Sequence, residues 1–186
     1  MAERQDRRPQ LMEKARATMS RLSHEQRETL LTRCWMTFDS RWFMAVAMAF
    51  GVEAAIRLNK SVAHEVGKAE APANVRALEL PPIATLDDYL VLQEMFISLL
   101  GPQLIDYAII QTGDDSFDIQ VQRCFAHENV TRAGVADQYE CGIFSRVTGW
   151  MEALGIQYEV TPPLGKCLKA QGGECAYTFK LHASGV

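Results

Sequence analysis

Four cysteines, Cys124, Cys141, Cys167 and Cys175, fall in the second half of a 186-residue chain, while a fifth, Cys34, stands apart near its start. Thiolate sulfur is a ligand for transition metals, and four such groups match both the tetrahedral demand of structural zinc and the ligand set of an iron–sulfur cluster. An odd total, behind an opening MAERQDRRPQ that has no apolar stretch for secretion, argues against a disulfide framework and towards thiols that are buried, reactive or metal-bound. No pair forms the tight knuckle of common zinc fingers, so plain core cysteines are the competing reading. Each of the four is expected at or near the end of an element. Cys124 closes a strand, Cys141 opens a helix, and Cys167 and Cys175 flank KAQGGE, where Gly172-Gly173 lets the chain turn back. A helix N-terminus lowers a thiol pKa, which makes Cys141 a candidate thiolate.

A second source of chemistry is a pair of carboxylates on an apolar stripe. At 100° per residue Leu31, Trp35, Phe38, Trp42, Val46, Ala49, Phe50 and Ile56 share an arc of roughly 120°, the pattern of a core-facing helix. Asp39 and Glu53 lie within it. Buried there without partners they would cost several kcal/mol, so each must be paired, protonated, hydrated or used as a cap. In structural terms Asp39 is an internal cap at a kink and Glu53 an ion-pair partner. In functional terms Trp35, Trp42, Phe43 and Phe50 wall an apolar pocket in which Asp39 or Glu53 orients a polar group or acts as a general base. Cys34 has no His or Asn partner identifiable from spacing and reads as inert. The chain has no phosphate-cradling glycine loop, zincin helix or serine elbow.

The elements that must position these groups follow from periodicity and punctuation. SHEQ at residues 23–26 fits a capping box, and the helix it starts is expected to run to about Val66, with a break near Asp39 and Ser40 and a stop at Gly67. Lys68 to Pro82, with three prolines, reads as a connector. Thr85 caps a helix that ends at Gly101-Pro102. Leu104 to Gln111 and the alternating Phe117, Ile119, Val121 flank TGDDS as a β-hairpin. Cys141 to Leu154 is a helix, and Ile156 to Val160 and Cys175 to Leu181 are two further strands. The expected architecture is α+β: N-terminal helices packed with a four-stranded antiparallel sheet in the order strand-strand-helix-strand-strand. A single domain over 1–186 is expected, mainly helical over 1–101 and carrying the sheet and the cysteines over 102–186.

Composition narrows the class. With 48% apolar and 23% charged residues the chain can bury a real core. A net charge of −4 gives no field for phosphate backbones, and Trp42 to Val52 is too short to span a bilayer, so neither nucleic acid nor membrane is expected as a partner and the location reads as cytoplasmic.

The run YECGIFSRVTGWMEALGIQYEV followed by KCLKAQGGECAYTFKL resembles the C-terminal half of the 4-vinyl reductase type domain, a small-molecule-binding fold. The shared pattern is a cysteine opening a glycine-containing helix, a strand, then two cysteines about a basic, glycine-rich turn. The resemblance implies zinc held by Cys141, Cys167 and Cys175. The Glu ligand expected three residues before the middle cysteine is here Leu164, so Cys124 is the fourth ligand, with His127 or Glu140 as alternatives. RCWMTFDSRWFMAVAMAFGVEAAIRLNKSV is similar to 2-amino-thiazoline-4-carboxylate hydrolase-like proteins in the recurrence of Trp35, Asp39, Trp42 and Phe43. The expected function is therefore a small-molecule binding or sensing domain for an apolar or aromatic ligand, with a structural metal. The alternative is a hydrolase of a small amide-like or thiazoline ring, using Asp39 or Glu53 as general base. A homodimer is one further partner option.

Overall fold

The computed structural model describes residues 6–182; the first five residues of the opening segment lie outside them. The chain divides into two compact units between Asp39 and Ser40. In the first, α1 (Arg8–Met19) precedes the start of α2 (His24–Phe50), whose N-terminus is capped as its sequence requires. The Ser23 amide donates to Gln26 Oε1 at 2.9 Å and the Gln26 amide to Ser23 Oγ at 3.1 Å. The expected break at Asp39 and Ser40 is absent, because α2 is continuous through them. The chain breaks instead at Gly51, whose φ of 90° is open to glycine and strained for other residues.

The second unit holds the sheet. α3 (Val52–Ala77) passes through both Gly67 and Pro72, so the expected stop at Gly67 and the connector from Lys68 are corrected: the true connector begins after Ala77. Gly67 is not a terminator but a point of helix contact. A Cβ there would lie 2.2 Å from the Arg146 carbonyl oxygen on α6 (Gly142–Ala153), and one on Gly149 would lie 2.3 Å from that of His64. The two glycines let α3 and α6 approach backbone to backbone. Beside the crossing Arg146 Nε donates to Glu70 Oε1 at 2.6 Å, a second guanidinium nitrogen pairs with Oε2, and the Trp150 indole N–H also donates to Glu70. Gly67→Ala tests the crossing with two opposed effects. Helix propensity would stabilise by about 1 kcal/mol, whereas forcing two backbones apart costs roughly 1–3 kcal/mol or more. A net fall in urea-unfolding free energy is expected, and a gain would refute the close approach.

α4 (Leu86–Leu100) starts at Thr85 with a complete capping box to Asp88. β1 (Ile105–Gln111) and β2 (Ser116–Cys124) form the expected hairpin; α5 (Phe125–Arg132) follows, a helix not foreseen from sequence; β3 (Gln157–Thr161) and β4 (Cys175–His182) complete the sheet. The order is β1-β2-β4-β3, antiparallel throughout. This is an α+β fold. Alternation puts Phe117, Ile119 and Val121 of β2 and Tyr177 and Phe179 of β4 on the covered face, where the Phe117 and Phe179 rings stack at 5.5 Å. α6 covers that face through Phe144, 4.5 Å from the Tyr177 ring, and α4 through Tyr89, 6.1 Å from the Phe117 ring. The Phe96 ring of α4 meets Trp150 edge-on at 5.2 Å, which closes the core.

The apolar stripe of α2 is not core. Val46 is its one buried residue, while Leu31, Phe38, Trp42 and Phe50 are exposed, and Asp39 and Glu53 are exposed as well. The periodicity marks a common face correctly; it carries no information about what faces it. Because both carboxylates sit in water, the desolvation cost that singled them out does not arise. Among the described residues no helix is long and apolar enough to cross a membrane.

Candidate metal centre and adjoining groove

The second unit brings the four cysteines of the C-terminal half together. Cys124 ends β2 and Cys175 begins β4, and Val121 pairs with Cys175, so both thiols lie at one end of adjacent strands. Cys141 precedes α6 at the end of a short antiparallel ladder, on which Cys167 faces Tyr139, two residues before Cys141. Its rungs are the Cys141 amide to the Gly165 carbonyl at 2.9 Å, the Cys167 amide to the Tyr139 carbonyl at 2.9 Å, and the Glu140–Lys166 bridge. Cys124, Cys141, Cys167 and Cys175, with His127 of α5, line one cavity of about 20 Å³. That volume accommodates a single ion or water-sized guest. The His127 Nδ1 lies 3.8 Å from Cys167 Sγ, and all five cysteines of the chain are free thiols. Of the alternative fourth ligands, His127 therefore lies in the cavity. Glu140 does not line it, and is held by Lys60 Nζ at 2.5 Å. Among the described residues no three His, Cys, Asp or Glu side chains are drawn together tightly enough to hold a metal ion as they stand.

Electrostatics corrects one expectation. The amides of Phe144 and Ile143 do favour a Cys141 thiolate, as a helix N-terminus should, but burial outweighs them and pushes the thiol up to about 12. Burial also raises Cys175 to about 11, with Cys124 and Cys167 adding to the effect and Lys169 opposing it, and it raises Cys124 against the amides of His127 and Ala126. Without a cation these sulfurs are neutral thiols.

The ladder separates this cavity from a second one. Residues alternate in direction along an extended segment, so while Cys141 and Cys167 line the small cavity, Glu140 and Lys166 line a groove of about 740 Å³. Its other wall is one face of α3, spaced as Glu53, Ile56, Arg57, Lys60, Ser61 and His64, and its base carries Ser145 and Thr148 of α6, both buried. Both hydroxyls donate to backbone carbonyls at 2.9 Å, Ser145 to Cys141 and Thr148 to Ser145, which leaves their lone pairs towards other donors. His64 Nε2 meets Glu152 at 3.1 Å. Among the described residues Arg57 and Lys166 make no ion pair or side-chain hydrogen bond.

Of the residues expected to wall a ligand pocket, Glu53 lines this groove, whereas Trp35, Asp39, Trp42, Phe43 and Phe50 line neither cavity. Phe43 packs against the cluster of Ile56, Tyr139 and Cys167. Cys34 is exposed. Sequence reasoning passed over Arg57, Lys60 and Lys166. The available signal was the polar i, i+3, i+4, i+7 spacing on α3, together with the alternation that sets Lys166 opposite to Cys167. No protein-family model matches the chain, and no curated protein is detectably similar to it.

Proposed function

We propose that the chain is a small-molecule-binding domain of the 4-vinyl-reductase-like type whose sheet, α5 and α6 are tied together by a structural zinc ion. The supporting observation is the convergence of four cysteines, from separate elements and free of disulfides, on one atom-sized cavity with His127 beside them. That size favours a single ion over an iron–sulfur cluster, which needs room for several iron and sulfide atoms. Zinc would be held by Cys124, Cys141, Cys167 and Cys175, with side-chain rotation on a backbone fixed by the short ladder that joins residues 139–141 to 165–167. His127 is the nitrogen donor available in place of one sulfur. Once four protein ligands are engaged the ion has no open position, so its role is structural and any chemistry falls to the groove.

The ligand belongs in the groove. Its volume suits a small molecule, and its charged lining favours a polar, acid-bearing aromatic compound over the wholly apolar ligand that the tryptophans of α2 suggest. The alternative reading, a hydrolase of a small amide-like or thiazoline ring, draws on Glu53, which lines the groove. Asp39 has no such placement.

Elemental analysis of the purified protein is expected to give one zinc per chain and no iron. Titration with benzoate, followed by amide chemical shifts, is expected to perturb Arg57, Lys60 and Lys166. A fully folded, metal-free protein that does not take up zinc would overturn the metal reading. Benzoate shifts confined to other surfaces would overturn the groove reading.

A further inference from the structure

We infer that the groove is built for a free aromatic α-amino acid, its carboxylate held by Arg57 and Lys166 and its ammonium by Glu53. This rests on the groove reading above and narrows it from an acid-bearing compound to a zwitterion. Of the acids that line the groove, Glu140 is engaged by Lys60 at 2.5 Å, and Glu65 lies 3.6 Å from His64 and 3.9 Å from Lys68. Glu53, Arg57 and Lys166 differ: among the described residues they make no ion pair or side-chain hydrogen bond. Glu53 and Arg57 stand at i and i+4 on α3 with the acid nearer the N-terminus, the order in which such a pair closes most readily, yet they do not meet. Two cations and one carboxylate therefore open onto one space of about 740 Å³.

That set of charges matches a zwitterion and mismatches a simple acid. A monocarboxylate satisfies Arg57 and Lys166 but brings its negative charge to the site of Glu53, and like charges sharing a site repel. An α-ammonium next to the carboxylate replaces that repulsion with a charge-assisted hydrogen bond. Glu53 and Arg57 are one helical turn apart, about 6 Å along the axis, so two long side chains can reach charges that are neighbours in the ligand. Lys166, on the facing wall, adds a point charge to the fork that the Arg57 guanidinium offers a carboxylate. The base of the groove agrees. The Ser145 and Thr148 hydroxyls have committed their hydrogens to backbone carbonyls and can only accept, which suits an N–H donor and not a carboxylate oxygen. Ile56 and Leu164 supply apolar lining for the ring. A residue at either end of a peptide lacks one of the two charges, so the ligand is the free amino acid.

Three probes test this by amide chemical shifts of the full chain as purified: L-phenylalanine, 3-phenylpropionate, which lacks the ammonium, and L-phenylalaninamide, which lacks the carboxylate. Phenylalanine is expected to move the amides of Glu53, Arg57 and Lys166 and to bind at least about tenfold more tightly than either analogue, the effect of losing one charge-assisted hydrogen bond. Glu53→Gln should abolish its advantage over 3-phenylpropionate without weakening 3-phenylpropionate itself, whereas Arg57→Met should weaken both. Glu53 also lies in the first turn of α3, where an acid complements the helix dipole, but that role would leave the ratio of the two affinities unchanged. Both residues are exposed, and unaltered amide shifts across the sheet would show that the variants remain folded. Equal binding of phenylalanine and 3-phenylpropionate in the groove, or an equal loss of both in Glu53→Gln, would overturn the amino-acid assignment and leave the groove reading standing. Groove shifts from none of the three probes would overturn both.

Discussion

Replacing Cys167 by serine is expected to unfold the sheet-bearing part of the chain, with a loss on the order of 10 kcal/mol, the contribution of structural zinc in small metal-bound domains. A domain's whole stability is about 5–15 kcal/mol, so most molecules would lose their fold at ambient temperature. The magnitude distinguishes a metal ligand from a packed thiol. Cys167 is buried between Tyr139, Ala126 and Val130, and in a metal-free core the same change would bury one extra hydroxyl at a cost of about 1–3 kcal/mol. Urea unfolding followed by tryptophan fluorescence, to which the buried Trp150 contributes the folding-sensitive part, reads the difference. Cys34→Ser, at an exposed thiol, serves as the control and should stay within about 0.5 kcal/mol of the parent. A Cys167→Ser protein within 3 kcal/mol of the parent would show that no metal supports the fold.

The same residue shows why part of the site was legible and part was not. Strand alternation at Phe117, Ile119 and Val121, together with the turn residues that precede them, fixes where β2 ends and hence where Cys124 sits, and Gly172-Gly173 returns the chain so that Cys175 begins β4. Local chemistry determines those placements, as it does the capping boxes at Ser23 and Thr85. Gly67 is different. A glycine that ends a helix and a glycine that lets two helices touch are the same residue with the same neighbours, and only the Arg146 carbonyl on the other helix distinguishes them. α5 was missed because Ala126 and Val130 give only one repeat of a helical period, too little to separate from a loop. The α2 stripe was assigned to the core for a related reason: periodicity reports a shared face, and burial is a property of the partner. The groove escaped because its residues are spread over α3, α6 and the two segments joined by the Glu140–Lys166 bridge.

Removing the metal is expected to reverse the sign of the protein's pH dependence. In the metal-free chain burial raises Cys141 from 9.0 to about 12 and Cys175 from 9.0 to about 11, so the native state holds its protons where the unfolded chain gives them up. A group with a raised native pKa contributes its full stability below the unfolded value and loses it as pH rises through the native one. With a stabilising osmolyte to offset the lost metal and keep the chelated chain folded, the contribution of those two thiols should therefore be constant below pH 9 and fall steadily between pH 9 and 12. A metal inverts this, because it binds the thiolate and holds the native pKa below the unfolded one. That stability is present above the unfolded value and is lost as acid returns protons to the sulfurs and releases the ion. Melting temperatures measured across pH, with and without chelator, should thus diverge in opposite directions, the loaded protein failing in acid and the stripped protein in alkali. A stripped and a loaded sample with the same alkaline loss would mean that Cys141 and Cys175 keep their protons in both, and that the cavity they line is a packed core.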